Sequence, residues 1–244
     1  DVLLLRYKLE GDASLRPYAL LSTRLGGDAE NNRAFVGKHN GRRVLWAEQG
    51  PFGLALVANS EAGIDAWERC SVGCAGESGG WQDFDQNGRM TWEYDSAGPG
   101  AVVLMGELSS QATLALGFGT TMDSAATLAM SSLTKDFSTI WNEQCRAWEA
   151  WFDHCHLPDL PLKLQRMLAL SGTVLKVHED RTYCGAMVAS LSIPWGQDSQ
   201  SRGGYHLVWC RDLVETAGAL VAMGLFEDAR DVLRYLIATQ QADG

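Results

Sequence analysis

Residues 113–151, TLALGFGTTMDSAATLAMSSLTKDFSTIWNEQCRAWEAW, contain the point at which the sequence changes period. Thr113 to Phe118 is a short apolar run. From Thr134 onward, Phe137, Ile140, Trp141, Ala147, Trp148 and Trp151 recur at three- and four-residue steps, the spacing of a helix with one buried face. Upstream lie further short runs: Val2 to Leu5, Tyr18 to Ser22, Val44 to Ala47, Leu54 to Val57 and Ala101 to Leu104. Turn pairs divide them, among them Gly26-Gly27, Asn40-Gly41, Gly79-Gly80, Asn87-Gly88 and Gly98-Pro99. This spacing predicts an all-β region over 1–133, folded as an antiparallel β-sandwich. A helical linker is predicted over 134–159, with Trp141, Trp148 and Trp151 on its buried face. Residues 160–244 follow as a helical region. There Leu164, Met167, Leu168, Ser171 and Leu175 share a face, and Leu213 to Met223 forms a helix stopped at Gly224. Glu227 to Gln241 is its antiparallel partner.

Composition narrows the classes. The chain has 244 residues, room for one large or two modest domains at roughly 100–200 residues each. Its 46% apolar and 20% charged content is that of a globular protein and excludes disorder, collagen and coiled coil as the dominant class. A net charge of −10 argues against nucleic acid and anionic membrane as partners, since both need clustered Lys and Arg. A neutral or cationic ligand is easier to accommodate. No run approaches the ~18 apolar residues of a membrane span, and no signal peptide is visible, so a cytoplasmic location is expected. The chain opens on Asp1 rather than Met, which reads as a processed or cropped start. Six cysteines at irregular spacings (70, 74, 145, 155, 184, 210) are expected to be reduced thiols.

The densest chemistry lies in Ile193-Pro194-Trp195-Gly196 and in Gly203-Gly204-Tyr205-His206-Leu207-Val208-Trp209-Cys210-Arg211-Asp212-Leu213-Val214, with Glu215 closing the stretch. Three aromatic rings beside an Arg-Asp pair suit a sugar pocket. Pyranose rings present C–H faces that pack on aromatic rings, and their hydroxyls need donors and acceptors at fixed angles. If Asp212 caps a helix beginning near Leu213, its carboxylate sits at the positive end of the helix dipole. There it accepts hydrogen bonds well and serves poorly as an acid, which favours gripping hydroxyls over proton donation. Tyr205 and Trp209, four apart, fit sugar contact and core packing equally, and for Trp195 the core reading is slightly ahead.

These two motifs, with Tyr235 to Gly244 behind them, resemble glycoside hydrolase family 15, the glucoamylases and glucodextranases. The order of regions is also similar to that of the bacterial members. The resemblance implies a multidomain β plus α chain: an incomplete super-sandwich-like β-domain, a helical linker, and the first helices of an (α/α)₆ barrel. It further implies an inverting exo-hydrolase releasing glucose from non-reducing ends of α-glucans or maltooligosaccharides, without cofactor. Carried over onto this sequence, Arg211 and Asp212 bind the hydroxyls of the terminal glucose, and Tyr205, Trp209 and Trp195 are further substrate-binding candidates. Cys210 departs from the family, where Pro or Thr is more usual. The family's acid and base are both Glu on later barrel loops. A barrel of twelve helices needs several hundred residues, whereas 160–244 hold enough for about three. The chain is therefore expected to be a fragment without an acid–base pair and inactive by itself. Alternatives are an α,α-trehalase of the same family, a non-catalytic carbohydrate-binding scaffold, and a phosphorylase on the same plan.

Other groupings favour structural roles. His154-Cys155-His156 and Cys70-x-x-x-Cys74 lack the paired spacing of zinc sites, so no metal is expected. Asp83, Asp85 and Asn87 before Gly88 lack the closing Glu of a calcium loop, and an acidic hairpin turn is expected there. His206 has no evident carboxylate partner and reads as a packed or surface group.

Overall fold

The structure, a computed structural model, describes residues 2–12, 14–27, 30–191 and 207–242. Trp195, Tyr205, His206 and the glycine-rich loop between the two motifs lie outside the described residues. The chain divides into two compact units, Asp1–Trp141 and Asn142–Gly244.

The first unit is built on strands β1 (Val2–Lys8), β2 (Tyr18–Ser22), β3 (Asn32–His39), β4 (Arg42–Gln49), β5 (Phe52–Asn59), β6 (Trp67–Cys74), β7 (Ser96–Gly100), β8 (Val102–Leu108) and β9 (Gln111–Gly119). One antiparallel sheet runs β1-β9-β5-β4-β3-β7, and a second runs β2-β8-β6. Side chains alternate across a strand, and the sequence uses both faces of the larger sheet. Leu45, Ala47, Leu54, Leu56, Ala58 and Leu114 point to a core shared with Val72, Val102, Leu104 and Leu108 of the smaller sheet. Their neighbours Val44, Trp46, Ala55, Val57 and Ala115 form the opposite face. The expected antiparallel sandwich is present.

That opposite face is covered by a helix, which corrects the reading of 1–133 as purely β. Helix α2 (Met122–Ser132) packs Ala125, Ala126 and Ala129 onto it. The Thr121 hydroxyl accepts from the Ser124 N–H at 3.1 Å, and Ser124 Oγ accepts from the Thr121 N–H, a reciprocal cap that fixes the helix start. Alanines at this spacing give a weak hydrophobic signal, so the run is easily passed over in sequence. They are required because the backbones approach closely. At Gly117 an added Cβ would lie 2.3 Å from the Ala125 carbonyl oxygen.

A second correction falls at 80–88, where helix α1 (Gly80–Asn87) replaces the expected hairpin turn. Gly88 ends it in the left-handed conformation, φ 65°. Its organising residue is Asp83, 1% exposed. The Thr91 N–H, Trp92 N–H, Thr91 hydroxyl and Asn87 amide donate to its carboxylate at 2.6, 2.8, 2.7 and 2.9 Å. Burial alone would raise the Asp83 pKa. The four donors together outweigh it and hold the carboxyl below the usual range. A depressed folded-state pKa adds stability above the unfolded-state value of about 3.9, and that stability is lost as pH falls through the folded-state pKa. Asp83→Ala is expected to destabilise the chain by about 3 kcal/mol at neutral pH, since it strands buried donors. Denaturant titrations across pH 3 to 7 should show the gap between wild type and variant closing at the acid end. A gap that stays constant would contradict the assignment.

Helix α3 (Phe137–Asp153) spans the division between the units. In the first unit the Arg6 guanidinium lies 4.3 Å over the Phe137 ring. The aromatic stripe is not uniformly buried, contrary to expectation. Trp151 packs into the second core, but Trp141 is 58% exposed. The second unit adds α4 (Leu162–Val177), α5 (Cys210–Ala222) and α6 (Phe226–Thr239). Leu213, Leu220, Met223, Leu225, Val232 and Met187 form its core. Gly224, φ 77°, turns the chain between α5 and α6. Among the described residues these helices do not close a barrel.

Candidate functional site

Helix α5 starts three residues earlier than its apolar pattern suggests. Trp209 is its N-cap residue, with no side-chain cap hydrogen bond, and Asp212 stands in the first turn rather than at the cap. The physical reason is register. Leu213 and Leu220 are fully buried and fix the helix face, and the Leu213 N–H already bonds the Trp209 carbonyl at 2.9 Å. The carboxylate nonetheless keeps its place near the positive end of the helix dipole.

Arg211 and Asp212 share one wall of a cavity of about 370 Å³ in the second unit. Glu215 and Thr216, one turn on, extend that wall. The opposite side comes from the end of α4 (Val174, Leu175 and His178) and from Met187, Val188 and Ala189. The 187–189 strip is held by main-chain bonds: the Val188 N–H to the His178 carbonyl at 3.0 Å, and the Ala189 N–H to the Leu207 carbonyl at 3.0 Å. His178 is spent on structure. Its Nδ1 lies 2.6 Å from the Val174 carbonyl and its Nε2 accepts the Leu191 N–H at 3.3 Å, which fixes the proton on Nδ1.

The two charged groups of the motif differ sharply in exposure. The Arg211 side chain is 80% exposed and that of Asp212 35%, with Arg211 Nη2 3.9 Å from Asp212 Oδ2. That is an ion-pair distance rather than a hydrogen bond. Asp212 Oδ2 is a buried oxygen with no hydrogen-bond partner among the described residues. An acceptor in this state costs free energy unless a donor reaches it. The Asp212 carbonyl accepts the Thr216 hydroxyl at 2.9 Å, which stiffens the turn. Trp209 stands at the helix start, 41% exposed, and does not line the cavity. Trp195 and Tyr205 lie outside the described residues.

In the sequence analysis Glu215 closes the motif stretch without a role, and His178 does not figure. A role for Glu215 was within reach, since it lies three residues after Asp212 and four after Arg211 on one helix face. His178 arrives through packing of α4 and left no local signal.

Elsewhere in the second unit a polar cluster joins α3, α4 and α6. Lys176 Nζ donates to Glu179 and Asp228, each at 2.5 Å, and Trp151 Nε1 donates to Asp228 at 3.4 Å. Burial would lower the Lys176 pKa, but the two carboxylates outweigh it and the net direction is upward. The Cys184 thiol donates to Asp231 at 3.2 Å, and this bond with burial pushes its pKa up to about 11. Burial likewise pushes Cys70 up to about 12. All six cysteines are unpaired, and neither of these two is an activated nucleophile. Among the described residues no cluster of three His, Cys, Asp or Glu could hold a metal ion, and no helix is long and apolar enough to cross a membrane.

Comparison with known proteins places these observations. Residues 1–153 match the family described as glucodextranase, domain N, and residues 163–242 match glycosyl hydrolases family 15. A glucoamylase of Clostridium sp. (strain G0005) is 31% identical over 252 residues, an alignment that takes in 99% of this chain and 35% of the relative. A bacterial glucoamylase solved in complex with acarbose superposes with a TM-score of 0.84 at 31% identity, over 98% of this chain and 36% of that one. The chain thus spans about a third of the length of the relatives it matches. With that domain matched over more than half its length, the chain belongs to the family described as glucodextranase, domain N, and its helical region carries the match to glycosyl hydrolases family 15.

Proposed function

We propose that this chain supplies the substrate-holding wall of an exo-acting glycoside hydrolase that releases glucose from the non-reducing ends of α-glucans. Arg211 and Asp212 grip the hydroxyls of the terminal glucose. The observation that carries this reading is the buried Oδ2 of Asp212, without a hydrogen-bond partner among the described residues, beside a cavity of about 370 Å³. A sugar hydroxyl is a donor from which such an oxygen can accept, and the exposed guanidinium next to it can serve the same sugar's oxygens. The acarbose bound by the similar glucoamylase supports a carbohydrate ligand.

Neither carboxylate of this cavity is proposed as general acid or base. Inversion needs two carboxyl groups on opposite sides of the glycosidic bond, roughly 6.5–9.5 Å apart, with room for a water. Asp212 and Glu215 stand three residues apart on one helix, on the same wall, where both meet the same side of a sugar. Their geometry suits binding and orientation. Trp209, which stands at the helix start outside the lining of this cavity, and Tyr205 and Trp195 are proposed as aromatic contacts of the sugar where it extends beyond the cavity. A cytoplasmic site of action is part of the proposal.

The full-length gene product, offered maltotriose, isomaltotriose and trehalose, is expected to release glucose from the first two as the β-anomer, read by proton NMR within the first minutes. Trehalose as the only substrate would identify a trehalase. Phosphate-dependent turnover would identify a phosphorylase. No glucose from any of the three would overturn the reading.

A further inference from the structure

We infer that the sandwich unit carries a second glucan-binding surface centred on Trp81, outside the cavity of the helical unit. The inference rests on the α-glucan reading above for its ligand but on different residues for its site.

Trp81 projects from α1 with 73% of its surface exposed. Covering an exposed indole gains free energy on the scale of tens of calories per Å² of apolar area, so the ring offers a binding face. The ring is carried on a rigid base. It meets Phe84 edge-on at 6.3 Å, Phe84 meets Tyr18 edge-on at 4.7 Å, and Asp83 anchors the helix through four hydrogen bonds. A preformed aromatic platform loses little conformational freedom on binding.

Two concave spaces flank the ring. One, of about 230 Å³, is bounded by Ser22, Gly79 and Gln82, and the other, of about 480 Å³, by Gln82, Phe84 and Asp85. Trp81 lines both. Among the described residues the side chains of Ser22, Gln82 and Asp85 make no hydrogen bond to protein. They offer a hydroxyl, an amide and a carboxylate around an apolar plane. This arrangement fits consecutive pyranose units, with a C–H face against the indole and hydroxyls turned to the polar groups on either side. Asp85 and a chain charge of −10 favour a neutral ligand over a phosphorylated or acidic one. The proposed ligand is therefore an internal segment of a neutral α-glucan. Such a surface would tether a polymer to the chain whose other unit takes only its ends, raising the effective concentration of those ends.

Affinity electrophoresis of the 244-residue chain in gels containing soluble starch, with maltoheptaose titrations followed by tryptophan fluorescence, tests the proposal. Wild type is expected to be retarded by starch. Trp81→Ala is expected to weaken the apparent affinity by about tenfold, while Trp141→Ala, which removes an exposed indole outside both proposed sites, leaves retardation unchanged. Circular dichroism should show both variants folded, and Gln82→Ala, with an intermediate loss, gives a second reading that leaves the indole in place. Retardation that survives Trp81→Ala overturns the proposal, and if Asp212→Asn abolishes it, the binding belongs to the helical cavity. Absence of retardation in wild type overturns the proposal too, without touching the proposed function, which the substrate panel decides. Concentration-dependent self-association of wild type, abolished by Trp81→Ala with no response to maltoheptaose, would mean that a second copy covers the ring, and overturns it likewise.

Discussion

Replacing Arg211 by Ala and Asp212 by Asn together in the full-length gene product is expected to lower kcat/KM for maltotriose by roughly 10²–10⁴. Each hydrogen bond to a charged group contributes about 1.5–3 kcal/mol, and about 1.4 kcal/mol is a factor of ten in rate. The loss should come without a loss of fold. Arg211 is 80% exposed and makes no hydrogen bond within the described protein, and Asp212→Asn keeps the shape while removing the charge. Thermal midpoints of wild type and variant are expected to agree within about 2 °C, because loss of the exposed arginine strands no partner and the isosteric amide leaves no cavity. The partition between constants is informative. A rise in KM alone would mean that the pair holds ground state and transition state equally, whereas a fall in kcat would mean that its grip tightens as the sugar flattens toward an oxocarbenium ion. Activity within about threefold of wild type would remove both residues from the sugar site.

The same pair shows where sequence reading succeeded and where it stopped. Apolar runs at Leu54 to Val57 and Thr113 to Phe118 were legible because alternation across a sheet leaves a local trace, and both are strands. Strands β3 and β7 were not. β3 mixes Arg33 and Lys38 with small residues, and β7 reads Ser-Ala-Gly-Pro-Gly, so pairing with β4 and with each other defines them rather than composition. Helices α1 and α2 were missed for a related reason. One is organised by a buried carboxylate whose donors lie eight and nine residues away, and the other by alanines chosen for size. At the cavity the Arg-Asp pair was visible as a motif. The buried Oδ2, without a partner among the described residues, was not, since its surroundings come from residues distant in sequence, α4 and the 187–189 strip lining the same cavity as α5.

Gly117→Val is expected to cost the sandwich at least about 4 kcal/mol, a large share of the roughly 5–15 kcal/mol that holds a domain folded. The new Cβ would lie 2.3 Å from the Ala125 carbonyl oxygen and 3.1 Å from both the backbone nitrogen and the Cβ of Ala129. Two of these three atoms belong to helix backbone, so no rotamer change relieves the clash, and α2 must lift from the sheet. Lifting α2 returns Val44, Ala55, Val57 and Ala115 to water on one side and Ala125, Ala126 and Ala129 on the other. Urea titration should show a midpoint drop without a matching change in slope if the variant still folds cooperatively. Limited proteolysis should cut first within 120–133, which wild type protects. Gly100→Ala supplies the control, because a Cβ there meets only Cys74 Sγ at 3.9 Å and should change stability by less than about 1 kcal/mol. If Gly117→Val matched that control, close packing of α2 on the outer face could not be what makes the six-stranded sheet a three-layer structure. The small residues of β9 and α2 would then need another cause.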